Sequence, residues 1–193
     1  MTAFPVGRNH PGAGTGNVET YKAIVSKRDI RLFSGRAVPD EVLRRILQAG
    51  RMAGSAKNAH PLRFVVLRDR TRKEELALCG QATRHIPESA FAVAIVLVPE
   101  PFRDDGGFTV FRGPFDSGRA AQNMMLAAWS EGLASCPASM HDAERARTTL
   151  GLPEGHLVAN VIAFGYPREG DATGGRPPMP RMPLDDLVHW ERW

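Results

Sequence analysis

Hydrophobic and polar positions follow a helical spacing in the segment after Pro39. Proline suits the first turn of a helix, and two acidic residues follow it where the helix dipole favours negative charge. Apolar side chains then recur on one face, at Val42, Leu43, Ile46 and Leu47. Basic and amide side chains take the other face, which predicts an amphipathic helix. Weaker patterns predict a short helix from Tyr21 to about Ser26 and a polar surface helix over residues 71–79.

Three short runs of apolar residues predict strands, at residues 63–68, 91–98 and 157–164. The second run carries no charge, which is typical of a central strand covered on both faces. With its preceding alanine it covers residues 90–98, far fewer than the ~20 residues that a membrane-spanning helix needs. These runs therefore predict buried strands and no membrane segment.

Residues 116–133 carry apolar side chains all around the helical axis, which predicts a helix buried in a core or at a subunit interface. Asp142 is a good N-cap for a further helix that runs through Leu150, and Gly151 and Pro153 stop it. Helices and strands alternate loosely along the chain. This order favours an α/β or α+β fold.

The two ends of the chain differ in composition. Residues 1–18 are rich in glycine and proline and predict a flexible leader, so the folded domain is expected over residues 19–193. Residues 165–193 are rich in proline and arginine, yet they end in leucine and tryptophan. A tail this apolar is expected to dock on another surface.

Composition narrows the function classes. The chain has 193 residues, of which 42% are hydrophobic and 24% charged, as in a single folded domain. The net charge of +4 is spread along the chain, whereas a nucleic-acid binder concentrates its basic residues. Six scattered histidines and two cysteines show no metal-ligand spacing. Free cysteines and the lack of a secretory apolar region predict a cytoplasmic protein.

Four segments contain residues suited to ligand chemistry. Residues 27–31 place three cations around one acid and could grip a phosphate. Residues 54–61 combine small residues with serine and asparagine, which lets the backbone approach a flat ligand. Residues 132–140 and 181–184 complete the set. Taken singly, each segment is explained as an ordinary turn or connection, and for residues 27–31 alone that explanation is the better one.

In their order along the chain, these segments resemble the nitroreductase superfamily from about residue 20 to the C-terminus. The resemblance is carried by the runs KRDIRLF, VPDEVLRRILQAGRMAGSAKNAHPLRFVVLRD, DSGRAAQNMMLAAWSEGLAS, LGLPEGHLVANVIAFGYP and PRMPLDDLVHWERW. It implies an α+β fold, a three-layer α/β/α sandwich around a mixed central sheet. It also implies an intertwined homodimer with FMN at the subunit interface and with residues 165–193 wrapped around the partner.

The resemblance further implies a set of cofactor-binding residues. The cluster at the FMN phosphate and ribityl chain would be Lys27, Arg28, Asp29 and Arg31, joined by Arg181 from the tail. The loop reaching the flavin of the other subunit would contribute Ser55, Ala56 and Asn58, and the backbone beside flavin N5 would be that of Pro137, Ala138 and Ser139. His60, Phe108 and Phe111 are candidates for the substrate pocket. The chain departs from the family pattern at Lys27, where arginine is usual, and at Gly54, where proline is usual.

The implied function is an FMN-dependent oxidoreductase that takes hydride from NADH or NADPH and passes it through flavin N5 to a small acceptor. Nitroaromatics, quinones and an unidentified metabolite are the candidate acceptors, and one shared pocket implies ping-pong kinetics. No catalytic residue is assigned, because the cofactor carries the chemistry. A flavin-dependent oxidase or desaturase and a non-catalytic flavin-binding protein are the alternatives within the fold. Nucleic-acid binding is the alternative outside it.

Overall fold

The computed structural model describes residues 19–99, 109–169 and 180–193. The elements along the chain are α1 (Thr20–Ser26), α2 (Asp40–Arg51), β1 (Leu62–Leu67), α3 (Arg70–Ala77), β2 (Phe91–Leu97), α4 (Thr109–Ser130), β3 (Ala134–Ala138), α5 (Ala143–Thr149), β4 (Leu157–Gly165) and α6 (Leu184–Leu187). A single 3-10 turn, Ala56–Asn58, lies between α2 and β1. The predicted helices and strands are thus found, with ends shifted by one or two residues in most cases. Three elements departed further from the prediction.

The four strands form one sheet in the order β1-β2-β4-β3. The three strand pairs are antiparallel, with Val65 opposite Ala94, Val93 opposite Ile162, and Cys136 opposite Ala163. The predicted α+β class is confirmed. The mixed character expected of the sheet is confined, in the described residues, to one isolated parallel bridge between Asp29 and Ser135. All the pairing between the strands themselves is antiparallel.

Helices cover both faces of the sheet, which gives the predicted three layers. On one face, α2 and α4 bury Ile46 and Met124 against alternate residues of β2 and β4. On the other face, α3 and α5 bury Leu76 and Ala146 against the intervening residues. The approach of α2 to α4 requires glycine at position 50, because a Cβ there would lie 2.1 Å from Cε of Met124. Among the described residues no helix is both long enough and apolar enough to cross a bilayer.

The central helix α4 begins at Thr109, two turns before the predicted start at Asp116. The added turns contain Pro114, a residue that removes a helical hydrogen bond and argues against a helix in sequence. Ser117 Oγ donates to the carbonyl oxygen of Pro114 at 2.8 Å, so this carbonyl has a partner in the next turn. From Ala120 to Trp129 the helix has the buried, largely apolar surface that the pattern predicts.

Strand β3 was predicted as part of a connection, and this prediction was wrong. Its sequence, ASCPA, has no β-branched residue and contains Pro137, which counts against a strand. This sequence can form a strand because β3 lies at the edge of the sheet, where proline is tolerated. The carbonyl of Ser135 points away from β4, since it accepts from the amide of Ile30 at 3.1 Å. Two residues on, the backbone of Pro137 also points outward, so the missing N–H costs no bond to β4.

The tail contains a short helix, α6, that was not predicted from the sequence. Its apolar side chains are exposed within one chain: Leu184 is 70% exposed, Leu187 60% and Trp190 80%. A tail of this composition is stable in water only when its apolar side chains are covered. Among the described residues of one chain these side chains stay exposed. The surface on which the tail is predicted to dock is therefore left to another molecule.

Candidate functional site

The basic segment at residues 27–31 lies alongside the edge strand β3. The amide of Ile30 donates to the carbonyl of Ser135, and Asp29 forms the parallel bridge to the same residue. Burial of Ile30 and Phe33 in the core fixes the backbone on both sides of the exposed Arg31. Two of the four predicted segments, residues 27–31 and 132–140, are therefore neighbours in the fold.

The side chains of this segment are paired unequally. Lys27 Nζ is in contact with a carboxylate oxygen of Asp29 and lies 3.4 Å from Sδ of Met125 on α4. Arg28 donates only to neutral carbonyl oxygens, those of Val25 at 2.9 Å and Lys27 at 2.8 Å. Arg31 is exposed and takes part in none of the described ion pairs. Since Asp29 neutralises one of three cations, the segment keeps an excess of two positive charges.

Buried polar groups lie directly behind the segment. Ser135 is 1% exposed, and its Oγ has no hydrogen-bond partner in the described structure. Nε2 of the buried His85 is likewise without a partner. Burial lowers the pKa of His85, the Cys136 carbonyl acts in the opposite direction, and the nearby Arg31 lowers it further. The surroundings of His85 behind the basic segment thus favour its neutral form.

Cys136 is buried in β3 between these groups, and its ionisation gives a pH-dependent prediction. Burial raises the pKa of its thiol from 9.0 to about 11. A raised thiol pKa means that the folded state holds the proton more tightly than the unfolded state. Stability from this source is therefore present below about pH 9 and is lost as the pH rises towards 11.

We expect the urea midpoint of the protein to fall between pH 8 and pH 10.5, and to fall less in Cys136→Ala. Cys79→Ala, which also removes a buried thiol, controls for the loss of packing. Equal alkaline loss of stability in the wild type and in Cys136→Ala would show that this thiol has no such role.

Beyond the bridge at Ser135, the outer edge of β3 is open. Pro137 and Ala138 are half-buried and Ser139 is exposed. By the alternation of the strand, the backbone of Pro137 points away from β4. No other described strand pairs with this edge. The carbonyl of Pro137 thus faces outward beside the basic segment, with a weak contact from Sγ of Cys136 at 3.5 Å.

The second predicted segment, residues 54–61, forms a tight turn between α2 and β1. Lys57, Asn58 and His60 all have positive φ, at 51°, 56° and 50°, a conformation rare outside glycine. The amide of Asn58 donates to the carbonyl of Ser55 at 3.1 Å, and the amide of His60 donates to Ser55 Oγ at 3.0 Å. Ser55 therefore has a structural role within its own loop, which the sequence did not predict. Ala56 starts the 3-10 turn.

The remaining predicted residues are not brought to the basic segment within one chain. No described hydrogen bond or ion pair joins residues 54–61 or Arg181 to residues 27–31. Arg181 is exposed just before α6. Phe108 lies outside the described residues, and for Phe111 only the backbone position in the first turn of α4 is described.

The flavin mononucleotide implied by the resemblance fits the groups that are present. Its phosphate carries nearly two negative charges, which match the excess of two positive charges on residues 27–31. Its flat ring system carries hydrogen-bonding atoms along one side, which match the outer backbone edge of β3. Arg31 and Arg28 can bind the phosphate, and the unpartnered Ser135 Oγ is buried in β3 behind the segment. In the described part of the chain, no three histidine, cysteine or acidic residues form a metal-type cluster.

The chain belongs to the nitroreductase family, whose family model matches residues 24–166. A protein of Archaeoglobus fulgidus assigned as an NADH dehydrogenase/NAD(P)H nitroreductase is 30% identical over 155 residues, covering 78% of this chain and 87% of the relative. A protein of Methanothermobacter thermautotrophicus with the same assignment is 29% identical over 189 residues, covering 95% of this chain and 93% of the relative.

Solved structures also resemble this fold. The NADPH:FMN oxidoreductase of Vibrio harveyi, in complex with NAD⁺, superposes with a TM-score of 0.81 at 26% identity. The superposition covers 90% of this chain and 77% of that chain. The fold and the family predicted from the sequence are thus confirmed, while the roles of the individual site residues stay predictions.

Proposed function

We propose that this protein is an FMN-dependent oxidoreductase that takes electrons from NADH or NADPH and passes them to a small organic acceptor. The proposal is carried by one observation. The basic segment at residues 27–31, with its excess of two positive charges, lies beside the open outer edge of β3. Membership of the nitroreductase family and the likeness to an NADPH:FMN oxidoreductase support the choice of FMN and a nicotinamide. We place the protein in the cytoplasm, where its two buried free cysteines stay reduced.

The residues divide the work of holding the cofactor. Arg28 and Arg31 bind the phosphate, and Arg181 of the tail adds a third guanidinium. Asp29 keeps Lys27 in place beside α4. The backbone of Pro137, Ala138 and Ser139 lines one edge of the ring and fixes its orientation. Bound FMN supplies hydride transfer at N5, so the protein needs no nucleophile or metal of its own.

The site is completed in a homodimer. In the partner, residues 54–61 supply Ser55, Ala56 and Asn58 from the far side of the ring, and His60 lies at the entrance of the acceptor pocket. This arrangement accounts for the separation of that loop from the basic segment in one chain. It also accounts for the exposed apolar side chains of α6, which need a surface to cover them. Phe108 and Phe111 are proposed to line the acceptor pocket.

The acceptor half of the proposal is tested by steady-state kinetics. If nicotinamide and acceptor occupy the same face of the cofactor in turn, double-reciprocal plots at several fixed quinone concentrations are parallel. A nitroaromatic acceptor should behave in the same way. Intersecting lines would show that both substrates bind together and would contradict the shared pocket. Rapid oxygen consumption without added acceptor would instead support the oxidase alternative.

A further inference from the structure

Residues 54–61 are held in a conformation that their own sequence does not favour. Three of the residues after Ser55 have positive φ without being glycine, a conformation that persists only where the surroundings hold it. Ser55 makes both described hydrogen bonds within the loop. These internal bonds shape the turn but do not attach it to the rest of the protein.

The loop is held from outside at both ends. At its far end, Arg63 donates from Nη1 to the carbonyl oxygen of His60 at 3.0 Å, and the amide of Val98 donates to that of Pro61 at 2.9 Å.

At the start of the loop, the described attachment is made by one side chain of α4. Arg119 of α4 donates from Nη1 to the carbonyl oxygen of Gly54 at 2.8 Å. This carbonyl lies just past the end of α2, where the helix dipole favours a positive charge. The guanidinium also lies 3.7 Å from the carboxylate of Asp116, whose side chain is only 5% exposed. The buried carboxylate of Asp116 thus orients Arg119 towards the start of the loop.

Gly54 is the residue that makes this contact possible. A Cβ at position 54 would lie 2.8 Å from Nη2 and 3.3 Å from Nη1 of Arg119. Since the guanidinium is the end of a flexible side chain, a methyl group there would push it aside without disturbing the backbone. Glycine at position 54 departs from the family pattern. In this chain, the close approach of the Arg119 guanidinium gives a physical reason for it.

We infer that Arg119 is a positioning residue that clamps the 54–61 loop through the Gly54 carbonyl and thereby sets the affinity for FMN. The part that concerns FMN depends on the proposed function, in which this loop meets the cofactor of the partner subunit. The clamp itself does not depend on it. The two parts can therefore be tested by different measurements on the same variants.

The chain offers a matched control for general loss of helix packing. Arg45 of α2 forms a two-pronged ion pair with Glu131, just after α4, at 2.6 Å and 2.9 Å. It joins the same two helices as Arg119, but at the end of α4 away from the loop. Arg45→Ala therefore removes an arginine contact between α2 and α4 without touching Gly54.

The experiment compares full-length Arg119→Ala, Gly54→Ala, the double variant and Arg45→Ala. Amide hydrogen exchange of residues 55–60 is measured without FMN, and the dissociation constant for FMN is measured by fluorescence titration. We expect faster loop exchange and about five- to tenfold weaker FMN binding in Arg119→Ala and in Gly54→Ala, the range of one charged hydrogen bond partly exposed to water. The double variant should be no worse than either single variant, because both break the same contact.

Unchanged loop exchange in Arg119→Ala would overturn the clamp, and so would equal changes in Arg45→Ala. Faster loop exchange with unchanged FMN affinity would overturn the link to the cofactor. Failure of the wild-type protein to bind FMN would refute the proposed function, while the exchange data would still decide whether Arg119 holds the loop.

Discussion

Replacing Arg31 by alanine is expected to weaken FMN binding about tenfold, and replacing Arg31 and Arg181 together about a hundredfold. A hydrogen bond to a charged group is worth ~1.5–3 kcal/mol, and 1.4 kcal/mol is a factor of ten in affinity. The low end applies here because Arg31 is exposed. Its effect should exceed that of Lys27, whose ammonium is already paired with Asp29.

Fluorescence titration of FMN into the dialysed protein measures these changes. Arg44→Ala and Arg192→Ala are the controls, since both remove exposed arginines and the second lies in the tail near Arg181. Wild-type affinity in both Arg31→Ala and Arg181→Ala would show that the phosphate binds elsewhere. Equal losses in the two controls would show that overall charge matters and not the basic segment.

Replacing Leu184, Leu187 and Trp190 together by serine is expected to convert the proposed dimer to monomers at micromolar concentration. These side chains are 60–80% exposed in one chain, and burying a large apolar side chain contributes about 1.5–3 kcal/mol. Loss of three such contacts should weaken association at least about a thousandfold. FMN should be lost as well, because the proposed site takes residues from both subunits.

Light scattering after size-exclusion chromatography measures this effect. Leu78→Ser is the control, because Leu78 is 64% exposed at the end of α3 and belongs to no proposed interface. A triple variant that remains dimeric would show that the tail does not hold the subunits together. A monomeric wild-type protein that binds FMN would contradict the two-subunit site itself.

The apolar pattern predicted most helices and strands, because in those elements the spacing of apolar residues matches the buried face. The run at residues 91–98 has no charge, and β2 is the fully buried strand between β1 and β4. The pattern failed where tertiary contacts outweigh local preference. Edge position explains the strand at Pro137, because the missing N–H costs no bond to β4. Four-residue helices such as α6 are too short to show a period.

The segments of the candidate site could be proposed from the sequence, but the contacts within and between them could not. Charge clustering identified residues 27–31, and small polar residues identified residues 54–61. Sequence could not show that Asp29 neutralises Lys27 or that Ser55 is used within its own loop. Nor could it show that Arg119 reaches Gly54, because that contact joins residues 65 positions apart. The contact between Arg119 and Gly54 forms only when α2 and α4 pack together.

The visible absorption spectrum of the purified protein, recorded before and after anaerobic addition of NADH or NADPH, tests the central claim most directly. The account predicts a yellow protein with a flavin spectrum that bleaches on addition of the nicotinamide and returns when a quinone or nitroaromatic is added. A colourless protein that takes up no added FMN would contradict the account, whatever its fold.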